Sequence, residues 1–144
     1  MISSAFANDL LKLVFNGASV AGLADNAATT PLTGLYLSLH TADPGAAGDQ
    51  SSSEVDYTGY ARLAVSRDGT GFTVTDNAVS PTSTMEFGEM TAGTPQTATH
   101  MCLGTAATGA GKVLFRFTLA PYVALDVNIT PRLRNTTTLT VVTS

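Results

Sequence analysis

Apolar residues alternate with polar ones at period two, turn residues recur at regular intervals, and no βαβ rhythm appears. Together these predict an all-β domain, an antiparallel β-sandwich or barrel, with one short N-terminal helix. At 144 residues the chain can bury a core without metals or disulfides. The expected organisation is a single domain over 1–144, with the helix in 1–17 and the β-structure in 18–144.

The helix comes first. Ser3 and Ser4 are suited to capping, and Phe6, Leu10, Leu13 and Val14 recur at the spacing of one helical face. Asn16-Gly17 supplies the stop, since glycine accepts the left-handed backbone that ends helices. A helix is therefore predicted over about residues 4–15. Its apolar stripe needs a partner, either the sheet behind it or another subunit.

Beyond a small-residue linker, Leu35, Leu37 and Leu39 alternate with Tyr36 and Ser38, the pattern of a half-buried strand. Alternation returns at 60–65, 72–75, 98–103, 113–118, 123–129 and 138–142, and more faintly at 83–87. Asp43-Pro44-Gly45, Asp68-Gly69, Asp76-Asn77, Gly93-Thr94-Pro95 and Gly109-Ala110-Gly111 supply the turns between them. The longest irregular stretch, 41–58, carries Asp43, Asp49, Glu54 and Asp56, acids that keep a loop solvated or face a basic partner.

Charged residues make up only 12 % of the chain, about half the usual share. So little charge, with abundant Thr, Ser, Ala and Gly, suits a surface covered by neighbours. A net charge of −4, with seven Lys and Arg, is unsuited to neutralising a run of phosphates, so nucleic acid is not an expected partner. No apolar stretch reaches membrane-spanning length, and the first residues lack the basic region of a signal peptide. The single cysteine, Cys102, forms no internal disulfide, and the chain reads as one made in a cytoplasm.

Catalytic machinery is not legible. His100 and Cys102 share one strand face, the beginning of a nucleophile pair or metal site, but the third and fourth ligands are missing and no CxxC or HxxxH spacing occurs. His40 closes the first strand. Gly109-Ala110-Gly111-Lys112-Val113 lacks the first glycine of a phosphate loop and the hydroxyl after its lysine, and it leads into a strand rather than a helix. No GxSxG elbow or calcium-loop spacing occurs. Asn128-Ile129-Thr130 and Asn135-Thr136-Thr137 match glycosylation acceptors, which have no meaning without a secretory signal. The expectation is no enzyme, no cofactor and no metal.

Three segments carry a resemblance. One is Leu35-Tyr36-Leu37-Ser38-Leu39-His40-Thr41-Ala42-Asp43-Pro44-Gly45, running on to Tyr57-Thr58-Gly59-Tyr60-Ala61-Arg62. The others are Ala98-Thr99-His100 followed by Gly104-Thr105-Ala106-Ala107-Thr108-Gly109, and the strand-rich stretch 113–142. In this order they resemble a family of small structural proteins of tailed bacteriophages, described both as head proteins and as tail-fibre-like. Size and strand pattern are most similar to a jelly-roll capsid cement, or decoration, protein. The resemblance implies a jelly-roll sandwich, a place in the virion on the outer surface of the major capsid shell, and stabilisation of the head. It also implies two partners: the major capsid protein and the chain itself, as homodimer or homotrimer. Asp43-Pro44-Gly45, Gly59, Gly109 and Gly111 read as scaffold turns, the last two closing a hairpin. Expected interface residues are Phe6, Leu10 and Leu13 on the helix, Asp43, Asp49, Glu54 and Asp56 in the loop, and the last strand. The alternative is a tail or tail-fibre component. A hydrolase built on His100 is a third and separate class.

Overall fold

The computed structural model of the chain describes residues 4–19 and 32–141. Its elements are α1 (Ser4–Asn16), β1 (Gly34–His40), β2 (Leu63–Ser66), β3 (Phe72–Thr75), β4 (Ala78–Pro81), β5 (Met85–Glu86), β6 (Gln96–Gly104), β7 (Val113–Leu125), β8 (Arg132–Leu133) and β9 (Leu139–Thr140). One sheet has the order β2-β1-β6-β7, a second β3-β4-β9, and β5 and β8 form a two-stranded ribbon. The chain is all-β with one short N-terminal helix, and its sheets are antiparallel. It clusters into two compact units, one of residues 1–34, 65–85 and 133–144, the other of residues 35–64 and 86–132.

In the first unit α1 ends at Gly17, whose φ of 65° is the left-handed stop expected there. Its buried stripe is Ala7, Leu11 and Phe15, not the Phe6, Leu10 and Leu13 of the sequence pattern. Leu10 is 36 % exposed and Leu13 lies partly in solvent, while the side chain of Phe6 falls outside the described residues. The reason is that apolar residues crowd the helix from 10 to 15, and the small Ala7 leaves little trace in a search for large apolar side chains. Phe15 packs edge-on against Phe72, centroids 4.8 Å apart, and Asn16 Nδ2 donates to Phe72 O at 3.1 Å. Arg67 closes the helix: Nε donates to Val14 O at 2.6 Å and Nη2 to Leu13 O, taking up carbonyls left open at a helix end.

β3 and β4 pair from Phe72 with Pro81 to Thr75 with Ala78, around a turn at Asp76-Asn77 where Asp76 has a φ of 54°. The turn was legible in the sequence. The strand β4 was not, because four residues ending in proline carry little alternation. β9 adds to β4, and Asn77 Nδ2 donates to Val141 O at 2.7 Å.

The second unit is built on β1, β6 and β7. Residues Tyr36–His40 of β1 face Gly104–His100 of β6 in register, and β6 faces β7 from Gln96 with Leu125 to Gly104 with Val113. Leu37, Leu39, Met101, Leu103, Phe115 and Phe117 therefore share one sheet face, and Ser38, His40, His100, Cys102, Arg116 and Thr118 share the other. β1 is not half-buried as alternation suggests: Ser38 and His40 are as buried as Leu37 and Leu39. Residues 50–55 cover the polar side, with Gln50 Nε2 donating to Tyr36 O and Ser52 O meeting the His40 ring.

Two other expectations shift. The strand expected at 60–65 begins only at Leu63, because Tyr60 and Arg62 are drawn into side-chain bonds described below. The strands expected at 113–118 and 123–129 are joined in one β7, Val113–Leu125, whose register against β6 shifts between Thr118 and Val123, where the break was expected. It passes through a cis Ala120–Pro121 bond, and Ile129 lies past its end in a turn where Asn128 has a φ of 69°.

Candidate interaction surface

The acids expected to face a partner have distinct surroundings. Glu54 Oε1 and Oε2 accept from Arg62 Nε and Nη2, each at 2.7 Å, in the two-pronged geometry that suits guanidinium and carboxylate. The two side chains are 17 % and 3 % exposed. Tyr60 Oη donates to Glu54 Oε1 at 2.9 Å and accepts from Leu39 N at 3.1 Å. Arg62 also donates to Ala106 O at 3.0 Å and Gly109 O at 2.7 Å. The hydrogen bond that Arg62 donates to Glu54 raises the guanidinium pKa, and burial raises that of the Tyr60 phenol. Glu54 is engaged as an internal anchor tying the 41–58 loop to the 104–112 connection.

Asp43 and Asp56 reach solvent. Asp43 Oδ1 accepts from Gly45 N at 2.9 Å and from Arg116 Nη1 at 3.0 Å, and the Gly45 amide chiefly lowers its pKa. Asp56 Oδ1 accepts from Gln96 Nε2 at 2.5 Å. Asp49 Oδ1 accepts from Ser51 Oγ at 2.6 Å and Ser51 N at 2.8 Å, which lowers its pKa. On the helix, Leu10 is the most exposed of the expected residues whose side chains are described.

The chemistry-bearing residues serve the fold. His40 is fully buried: Nδ1–H donates to Ser52 O at 2.9 Å, so Nε2 accepts from Ser38 Oγ at 2.8 Å. Desolvation lowers its pKa from 6.5, which favours the neutral ring. Thr99 Oγ1 donates to Thr41 O, which leaves it to accept from His100 Nδ1 at 2.9 Å. Burial pushes the Cys102 thiol up to about 11, away from the thiolate a nucleophile needs. Among the described residues no group of three or more His, Cys, Asp or Glu could hold a metal ion.

The glycine run of the 104–112 connection answers to Gln50. That side chain is fully buried, donates to Tyr36 O at 3.1 Å and accepts from Ala106 N at 3.0 Å, while the Gln50 backbone N–H donates to Gly111 O at 2.9 Å. A Cβ at Gly111 would sit 2.2 Å from Gln50 Oε1, and one at Gly104 2.1 Å from Gln50 Cδ. The hairpin reading holds for the connection, but Gly111 is there to admit a side chain. Sequence reasoning missed Gln50, since a polar residue in a Ser-rich loop reads as solvated.

The Tyr57–Arg62 segment is a second brace. Tyr57 Oη donates to Gly88 O at 2.8 Å, and Tyr60 stacks on Phe87 with centroids 6.3 Å apart. Gly59, with φ 103°, brings its backbone so close to 88–89 that a Cβ would lie 2.1 Å from Glu89 O. The segments that carried the resemblance thus hold one another in place.

The family model for Podophage GP4 fiber I protein gp80 matches residues 1–137. The chain belongs to this family. No curated protein matches it. Membership in the gp80 fibre family makes the chain a bacteriophage structural protein and a component of the virion. Among the described residues no helix is long and apolar enough to cross a membrane. For a structural gp80-family protein the informative surface is what stays exposed among the described residues after the internal braces are accounted for: Leu10, Leu32, Asp43, Asp56, Tyr122, Val127 and Ile129.

Proposed function

We propose that the chain is a structural subunit of a virion fibre, working by protein–protein contact and self-association. The family match over residues 1–137 carries this reading, and it favours the tail-fibre alternative over the capsid cement implied by the resemblance. Low overall charge supports a surface that copies and neighbours cover. The partners in this reading are the chain itself, as a homodimer or homotrimer, and the virion protein on which the fibre is seated. No catalytic step or cofactor enters it.

The test is location and stoichiometry in purified particles, by electron cryomicroscopy of whole virions and quantitative mass spectrometry. A fibre subunit appears as projecting density with a copy number set by the fibre's own symmetry. Density spread over the head lattice in capsid stoichiometry, seated on the major capsid protein, sinks the fibre reading. It would install the jelly-roll cement reading instead.

A further inference from the structure

We propose that the outer flank of α1 is a self-association surface, on which the α1 of a second copy lies antiparallel about a two-fold axis. The proposal deepens the self-associating reading above and rests on it.

A surface helix normally carries one apolar stripe and turns polar or charged residues to solvent. α1 carries two. At about 100° per residue, Ala7, Leu11 and Phe15 make the stripe buried in the fold, and Leu10, Leu13 and Val14 make a second one on its flank. Leu10 is 36 % exposed, and Leu13 and Val14 are half-buried. Arg67 extends this flank. While its Nε and Nη2 hold Val14 O and Leu13 O, Nη1 donates to Leu32 O at 3.2 Å. That bond brings Leu32, itself 47 % exposed, beside the last turn of the helix.

Charge selects a second copy as the occupant. Asp9 borders the flank on its solvent side, and among the described residues it is exposed with no cationic partner. Arg67 stands at the C-terminal end, where no described carboxylate pairs with it. Carbonyls take three of its five N–H groups, which leaves two for an acid. The flank is thus acidic towards its start and basic at its end. An occupant of reversed polarity matches both, and an antiparallel copy of the same flank has that polarity. With the axis between residues 11 and 12, Leu10 of one copy lies level with Leu13 of the other. Asp9 then lies level with Val14, whose carbonyl Arg67 holds. A parallel pairing would instead set Asp9 against Asp9 and Arg67 against Arg67.

Sedimentation equilibrium of the full chain over a range of concentrations tests the pairing. The expected result is a dimer whose dissociation constant rises about a hundredfold in Leu10→Asp, which removes an apolar contact from each copy. In Asp9→Arg it should rise about tenfold. Neither variant touches the buried stripe, so the unfolding midpoint of the dilute chain should stay unchanged. Arg67 is left in place because it also closes the helix. Orientation is read by oxidative cross-linking of Leu10→Cys and Leu13→Cys chains, and a mixture of the two should cross-link faster than either alone. A monomer at every concentration overturns the proposal, as does a trimer, or an association indifferent to the two substitutions. Cross-linking that is fastest in one variant alone also overturns it, because like residues then meet. These outcomes are separate from location in the particle, so the fibre reading and the pairing can fail independently.

Discussion

At the residue scale, the buried polar side chains of the second unit hold a loop that would otherwise have little apolar surface to anchor it. Arg62→Ala leaves the partly buried Glu54 with Tyr60 alone as a side-chain partner, a loss that should cost about 1–3 kcal/mol. Chemical denaturation should register it, and a double-mutant cycle with Glu54→Gln should return a large coupling, since the pair is bound by two hydrogen bonds. Gly111→Ala drives a methyl group into Gln50 Oε1 and should destabilise the fold by about 1–3 kcal/mol. His40 supplies a pH dependence with a definite sign. Its folded pKa lies below 6.5, so the unfolded chain binds the proton more tightly. The stability this provides is fully present above 6.5 and is lost as pH falls from there towards the folded pKa. Glu54 offsets the shift, while Arg62 and His100 add to the burial effect. Thermal unfolding between pH 7.5 and 5 should show the slope, and His40→Gln should flatten it. The histidine was visible in the sequence, but its role was not, because neither Ser38 nor Ser52 signals a ring partner by spacing alone.

At the element scale, α1 shows how a periodic pattern identifies a helix without choosing its buried face. Its limits were legible to within a residue, because Gly17 marks the stop. The stripe was not, because several apolar residues compete over 10–15 and packing against Phe72 selects Phe15. Leu11→Ala should therefore cost about 2–5 kcal/mol. Leu10→Ala should stay within about 0.5 kcal/mol in the isolated chain. Unfolding midpoints of the two variants decide the matter, and equal losses would mean that the helix packs through a different face. β1 has the complementary lesson. Alternation announced one buried face, and residues 50–55 buried the other. β7 spans the place where a break was expected, but its register against β6 shifts there, around Pro121, whose missing donor could not serve a regular ladder.

At the scale of the whole molecule, cohesion comes from packing and hydrogen bonds within the two units. Cys102 is a free, buried thiol, and no metal-holding group occurs among the described residues. Reductant and chelator should each leave the unfolding midpoint of the purified chain unchanged, and a fall with chelator would expose an unrecognised ion. The sequence alone determined the all-β class, the N-terminal helix and most of the turns. These follow from local periodicity and from the few residues that accept turn geometry. It also showed the absence of recognisable catalytic motifs, because such motifs are short and local. Only the tertiary structure decided which acids are internal anchors and why Gly104 and Gly111 must be glycine. Each of those depends on residues far apart in the chain meeting in space: Glu54 with Ala106 through Arg62, and Gln50 with Gly111. Period and composition carry no record of such meetings.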